Sequence, residues 1–553
     1  VTLNPGVAGL TAPGNYHCYG NDDAYNFQPY NLDQVPQKRT NLFLLGNYKL
    51  TDHLEAYANI FYNKTESASI IAPIPFDANA DQVPISAQSY YNPFGVDFGN
   101  SRDGDSYNTF RTRLNALGDR RYAYNTYTAQ LNPGLRGSFG DSSWQWSADL
   151  NYGKVRQKSQ NFGFLDTAAL TQALGPSYLD GATGAVTCGT PGHPIAGCTP
   201  VNIFNATDPA TVAALQSMVE NPTATSTYTL KQVEANANGE LFDLPAGPLN
   251  LAVGLSYRKE SSSTRVDPSL IGNDQGVCGV VEFCTTALSG SFNVKEAYAE
   301  ALVPLLADLP FAHSLNLTIG SRYSDYSSAG KTTNNKFALE WRPIEDLLLR
   351  GTVSEVFRAP NINELYQGAV NGAYTVIDPC VRYTGGHPAA CANVPADGSF
   401  TGDNIAQVTG ITSGSAPAHY NLKPEQGKSF DLGLVYDPHW LEGLSVSADV
   451  WRINLHDLIV NTDAQTVLNQ CYANAASPLC ALIHRTGSGL INYLNLPTIN
   501  MGKLSVKGID TAINYRFPDT RFGRFAASLN GTYMARYDGN PNPDDPNTVT
   551  IHN

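Results

Sequence analysis

Gln232-Val233-Glu234-Ala235-Asn236-Ala237-Asn238-Gly239-Glu240-Leu241-Phe242 alternates without a break. Val233, Ala235, Ala237, Gly239 and Leu241 fall on one face, and Gln232, Glu234, Asn236, Asn238 and Glu240 on the other. Successive side chains of a strand point to opposite faces, so this run reads as a strand with one apolar and one polar side. After the turn Pro245-Ala246-Gly247-Pro248 the pattern repeats: Leu249, Leu251, Val253, Leu255 and Tyr257 oppose Asn250, Gly254, Ser256 and Arg258. The two runs form a hairpin. Trp144, Trp146, Ala148, Leu150 and Tyr152 alternate with Gln145, Ser147, Asp149 and Asn151 in the same way. So do Leu54, Ala56, Ala58, Ile60 and Tyr62 with Glu55, Asn59 and Asn63.

A soluble sandwich would alternate too. Three features favour a transmembrane antiparallel β-barrel in an all-β chain. The polar face carries Asn, Gln, Glu and Arg rather than a Thr/Ser/Lys mixture. Many runs exceed the ~5–6 residues common in globular sheets. Tyr and Trp gather towards strand ends, where a membrane interface demands them. No run of about 18 apolar residues occurs, which excludes a transmembrane helix. A barrel strand needs only about ten residues, half of them facing lipid, and so tolerates the negative mean hydropathy.

Extending the pattern predicts about fourteen strands in seven hairpins. They are 39–50 with 53–66, 121–139 with 143–160, 226–242 with 248–265, 291–304 with 315–327, 333–342 with 346–357, 428–436 with 444–457, and 504–517 with 524–538. Hairpin turns are short, as at Thr51-Asp52, Gly140-Asp141-Ser142 and Ile344-Glu345-Asp346. Hairpins are mostly joined by long connections, at 67–120, 161–225, 266–290, 358–427 and 458–503. Short turns on the periplasmic side and long loops outside are the barrel asymmetry. Residues 1–38 are then an extracellular loop, 39–538 the partial barrel, and 539–553 the start of a further loop. Within one loop, Asp208-Pro209 ahead of Ala210 to Val219 predicts a capped helix of about three turns.

Nine cysteines are present, none in a predicted strand. Eight form close pairs within single long loops: Cys188/Cys198, Cys278/Cys284, Cys380/Cys391 and Cys471/Cys480. Zinc would need four convergent ligands at short spacing, so local disulfides in an oxidising compartment are expected. Cys18 is left over, and its partner is expected outside residues 1–553. The net charge of −14 speaks against nucleic acid as a partner. Ten histidines are scattered, and no HExxH, GxSxG or phosphate-loop pattern occurs. No enzyme, catalytic residue, cofactor or metal site is expected. His439-Trp440 falls in a predicted turn and reads as interfacial. Tyr90, Tyr91, Phe94, Tyr366, Tyr374 and Tyr383 are loop aromatics that could stack on a nutrient or pack the loops together.

Phe357-Arg358-Ala359-Pro360-Asn361-Ile362-Asn363-Glu364-Leu365-Tyr366 resembles the FRAP-x-x-x-E-L-Y segment of TonB-dependent receptor barrels. Leu347-Leu348-Leu349-Arg350-Gly351-Thr352 precedes it as a strand usually does in that family. Leu244-Pro245-Ala246-Gly247-Pro248, Glu296-Ala297-Tyr298-Ala299-Glu300, Arg322-Tyr323-Ser324-Asp325-Tyr326, Asn421-Leu422-Lys423-Pro424-Glu425 and Lys507-Gly508-Ile509-Asp510 keep the family order. The resemblance covers roughly 39 to 538. It implies a 22-stranded barrel around an N-terminal plug, in the outer membrane of a Gram-negative bacterium. It also implies import of a scarce nutrient, driven through TonB–ExbB–ExbD, with outer-membrane lipid and lipopolysaccharide as surroundings. The chain shows no plug, TonB box or terminal aromatic strand, so about eight strands are expected beyond its ends.

Siderophores, cobalamin, carbohydrates and peptides are the nutrient classes implied. Haem is an alternative, because His387 and His419 lie between the FRAP segment and Asn421-Leu422-Lys423-Pro424; a passive porin is another. Pro360 cannot continue a ladder, which places Arg358 and Glu364 at a strand's outer end, more as a loop-anchoring pair than as ligand contacts.

Overall fold

The computed structural model describes residues 2–4, 13–18, 21–78, 81–99, 110–272, 277–281, 284–400, 406–415 and 421–540. Fourteen long strands form its wall: β1 Gln37–Thr51, β2 Leu54–Ile71, β3 Arg120–Ser138, β4 Gln145–Phe162, β5 Thr223–Leu244, β6 Gly247–Val266 and β7 Leu288–Leu309, then β8 Ala312–Tyr326, β9 Gly330–Ile344, β10 Leu347–Arg358, β11 Glu425–Tyr436, β12 Leu444–Asn461, β13 Ile491–Arg516 and β14 Ala526–Asn540. Each strand pairs antiparallel with the next, from β1 to β14. Every predicted hairpin is present; most strands run a few residues past their expected bounds, but β13 begins at Ile491 rather than 504, and β4 and β14 begin at Gln145 and Ala526 rather than 143 and 524. Among the described residues no ladder joins β1 to β14, and both are exposed along most of their length.

The two faces separate as the alternation requires. Leu255, Leu432, Leu529 and Tyr533 stand outward and exposed. Inward, polar groups bond across neighbouring strands. Tyr298 Oη donates to Asn236 Oδ1 at 2.9 Å, and Ser324 Oγ to Glu296 Oε1 at 2.7 Å. Arg350 grips Asp449 through two bonds of 2.8 and 2.7 Å. An apolar outside with a cross-linked polar inside is what lipid on one side and water on the other select.

The alternation of 232–241 holds up to the hairpin end, where a bulge intervenes. Register shifts between Glu240 and Phe242, so Leu241 and Phe242 are both exposed. Gly239 lies on the outward face but is covered: a Cβ there would meet the Trp144 ring at 2.6 Å.

The long outer connections are folded. α1 (Thr167–Ala173) is capped by Asp166 and α2 (Pro209–Ser217) by Asp208. α2 ends earlier than expected, because Val219 pairs with Leu165 in a short ladder. α3 (Ile362–Tyr366) carries a capping box, and α4 (Ala464–Ala473) is capped by Asp463. A hairpin of Val370–Val376 with Ala406–Ser413 pairs in parallel with the outer end of β13. The strand thus leaves the wall to join the loops.

Candidate functional site at the outer mouth

Arg358 ends β10 and organises the mouth beside it. Its Nε and Nη2 bond Glu425 at 2.8 and 2.6 Å, and its Nη1 bonds Glu364 Oε2 at 2.9 Å. Glu364 also accepts from the Asn361 backbone N–H, closing the capping box of α3. Glu425 accepts from Ile459 N at 2.8 Å, so one guanidinium ties β10, α3, β11 and β12. Phe357 and Ala359 pack on Leu288, Phe292, Val294, Tyr326 and Ile362, while Leu365 sits with Leu422 and Ile459. Tyr366 lies over Gly290, where a Cβ would meet its ring at 2.1 Å. The segment 357–366 is therefore a structural anchor. Its third member, Glu425, belongs to the Asn421–Glu425 motif, and no local pattern shows that the two motifs touch.

Two loop cores sit above the wall. The first joins connections 72–119 and 163–222, with Ile74, Phe76, Ile85, Phe110, Leu170 and Phe204 fully buried. The second joins 359–424 and 462–490 around Val376, Val467, Leu468, Leu494 and Leu496. A buried ion pair locks the second: Arg485 bonds both oxygens of Asp378 at 2.7 Å and the carbonyls of Ala390 and Gly489 at 2.7 and 2.8 Å. Its side chain is 1% exposed and that of Asp378 6%. Nearby, His484 stacks on Tyr493 with centroids 4.2 Å apart, and its Nε2 accepts from Asn495 Nδ2 at 3.0 Å. Burial holds this imidazole below the usual histidine value.

The four close cysteine pairs are bridged. Their Cα–Cα distances are 6.0 Å for Cys188–Cys198, 5.6 Å for Cys278–Cys284, 5.5 Å for Cys380–Cys391 and 4.9 Å for Cys471–Cys480. Cys188 lies in a short loop strand, Val186–Thr190, and Cys471 in α4, so loop cysteines do occupy regular elements. Cys480 also departs from plain loop, because it sits in a short 3-10 turn, Pro478–Leu482. Cys278 and Cys471 are buried, whereas their partners Cys284 and Cys480 are only half-buried. Cys284 precedes Thr285, whose N–H bonds the Leu270 carbonyl at 2.9 Å, and Cys480 packs against the cluster that holds Cys380, Tyr383, Cys391 and Cys471. Cys284 and Cys480 are bridged to Cys278 and Cys471. A bridged sulfur carries neither the thiol proton nor the thiolate charge that ligand chemistry would use, so both serve to fasten loop backbone. Cys18 is free and exposed.

Comparison with known proteins adds family to geometry. The TonB dependent receptor-like, beta-barrel family matches residues 71–551. The chain belongs to the TonB-dependent receptor family. Such receptors are transport proteins rather than enzymes. Similar solved structures include the RagAB peptide transporter (12% identity, TM-score 0.48, covering 92% of this chain and 47% of that one). The siderophore receptor PirA from Acinetobacter baumannii is similar at 14% identity and TM-score 0.44, covering 91% and 53%. A mutant of the ferric enterobactin receptor PfeA from Pseudomonas aeruginosa is similar at 14% identity and TM-score 0.46, covering 92% and 61%. The chain thus spans between about half and three fifths of these relatives' length. No curated protein matches by sequence.

Within this receptor barrel, most of the loop aromatics named as ligand candidates are packing residues. Tyr383 is buried against Cys380, Cys391 and Cys471, and its hydroxyl accepts from His387 N at 3.0 Å. Tyr374 packs against the second loop core and Phe94 against the first. Each ring gains more from apolar neighbours than water offers. Tyr91 is half-buried, and burial together with the Asp208 carboxylate raises its hydroxyl pKa. Tyr90 alone of the six presents an exposed ring, set edge-on to Tyr91 at 5.4 Å. His387 stacks on Tyr472 at 3.9 Å, a packed position unlike that of a free axial ligand. His419 lies outside the described residues. A polar cavity of about 310 Å³ opens between α1 and the Cys188–Cys198 bridge, lined by Asp166, Gln172, Thr199, Ser217 and Glu220. On the opposite, outward surface a shallow hollow of about 850 Å³ is floored by Ala148, Ala235, Ala237, Ala297 and Ala299.

Proposed function

We propose that the chain forms part of the wall and outer mouth of a 22-stranded outer-membrane importer in a Gram-negative bacterium. It captures a scarce nutrient of the siderophore, cobalamin, carbohydrate or peptide class and is energised through TonB–ExbB–ExbD. The carrying observation is the pair of closed loop cores at one end of an apolar-outside, polar-inside wall. A passive pore gains nothing from clamping its mouth with bridges, caps and a buried ion pair, whereas a receptor must present a fixed surface to bind selectively. His387 is packed against Tyr472 rather than presented to the mouth, and haem is not favoured.

The test uses the full-length protein in a receptor-deficient Gram-negative host. Four labelled probes are supplied: a ferric catecholate siderophore, cyanocobalamin, a maltodextrin and an oligopeptide. The expected result is accumulation of one probe that a protonophore abolishes, with the purified protein electrically silent in planar bilayers. Protonophore-insensitive equilibration of all four, with steady ionic conductance, would establish a porin instead.

A further inference from the structure

Above its apolar band the outward face changes character. On β4 the outward positions read Trp146, Ala148, Leu150 and Tyr152, then Lys154, Arg156 and Lys158. Lys154 is eight residues beyond Trp146; at ~3.4 Å per residue and ~40° of tilt it stands ~20 Å higher. That is near the upper edge of an apolar band about 25 Å tall. On β5 the same change falls between Val233 and Lys231, and on β6 between Tyr257 and Lys259. Tyr152 and Tyr257 mark the boundary on β4 and β6, and bases lie just outside it on all three strands.

Register gathers these bases. Lys231 is directly opposite Lys259 on one side and Tyr152 on the other. Thr229, Thr227 and Thr225 stand opposite Lys154, Arg156 and Lys158, and Arg265 is opposite Thr225. All six bases are exposed, and the outward positions of β4, β5 and β6 hold no carboxylate. This occurs in a chain of net charge −14, so general basicity does not explain it. Two lysines facing each other across a ladder repel, and interleaved threonines add donors without neutralising them. An anion among them at headgroup height, with the lysine stems lying on acyl chains, turns that repulsion into attraction.

We propose that this patch binds phosphorylated glycolipid of the outer leaflet, its phosphates lying among Lys154, Lys231 and Lys259. The inference rests on the barrel orientation proposed above, and not on which nutrient is carried.

Full-length protein in zwitterionic nanodiscs is titrated with bisphosphorylated lipid A and with the same glycolipid stripped of phosphate. Wild type should prefer the phosphorylated form, and the combined variant Lys154→Gln, Lys231→Gln, Lys259→Gln should lose affinity on the order of a hundredfold. Lys231→Arg with Lys259→Arg should keep the preference, separating charge from folding. Equal binding of both glycolipids by wild type, or an unchanged preference in the glutamine variant, would overturn the proposal. Displacement by millimolar inorganic phosphate would also overturn it, in favour of a free-anion site. The titration needs neither nutrient nor TonB, so failed transport with intact lipid selectivity would count against the transport reading alone.

Discussion

Arg485 and Asp378 are 107 residues apart in sequence and nearly inaccessible to water. Neither residue stands out in the sequence, because nothing local marks a long-range buried pair. Removing one member leaves the other charged and desolvated, which typically costs about 3–5 kcal/mol. Arg485→Ala should therefore release the second loop core while the wall stays folded. Limited proteolysis should cut within 377–400 in the variant and not in wild type, and equal resistance would show the clamp to be unimportant. His484, one residue away, predicts a pH dependence. Its pKa is lowered from 6.5 by burial, so below about pH 6.5 the unfolded loop binds more protons than the folded one. Loop stability should fall as pH drops from there through the folded value, and Asn495 then loses its acceptor. His484→Phe keeps the stack and should flatten the profile of loop hydrogen exchange between pH 7.5 and 5.5.

At the scale of elements, the strands are legible in the sequence and most of the loop structure is not. Each strand carries its own evidence, since lipid and water write a period of two into every run such as 232–241 and 249–258. Strand ends run beyond the alternation because the outward face turns polar above the membrane, as at Thr223 and Thr225 on β5, and no longer contrasts with the inward one. α2 is visible from Asp208-Pro209, an N-cap followed by proline at the first helical turn. α1 and α4 escape notice although Asp166 and Asp463 cap them, because short helices with little periodicity look like loop. The anchor's composition is legible in 357–366, but not its bond to Glu425.

The bridges sit at this scale as well. Their sequence separations run from 6 to 11 residues, so each limits what its loop can sample by about 2–3 kcal/mol. Reduction should leave the far-ultraviolet strand signal and heat-modifiable migration intact, while speeding proteolysis around 188–198 and 471–480. Peptide mapping without reductant should return four local pairs, and inter-loop pairs or alkylatable thiols at those eight positions would contradict the structure. Loss of strand signal on reduction would contradict the division between wall and loops.

For the whole molecule, the decisive claim is that a single alternation divides lipid from lumen around the wall. Val253 lies at the centre of the outward run Leu249, Leu251, Val253, Leu255 and Tyr257 on β6. Its cross-strand partners are Ala237 and Ala299, which offer no counter-charge. An arginine there has neither water nor an acid within easy reach, so Val253→Arg should cost about 2–4 kcal/mol of barrel stability, as expected near the membrane midplane. The same substitution one position away should behave differently. Gly254 faces inward beneath Tyr298, where even a Cβ would meet the ring at 2.2 Å, so its penalty is steric rather than dielectric and would follow side-chain size rather than charge. Leu255 is outward and exposed but closer to the Tyr257–Lys259 boundary, so Leu255→Arg should cost less than Val253→Arg, because a long cation there can snorkel to the headgroups. Spin labels add a measurement free of stability. Labels at 233 and 235 should be relaxed by lipid-dissolved oxygen, and labels at 232, 234 and 236 by an aqueous nickel chelate. At 239 the covering Trp144 should restrict access from either phase. A uniform response along 232–237, or equal costs for arginine and an uncharged isostere such as methionine at 253, would mean that the outer face is not against lipid, and the barrel reading would have to be abandoned.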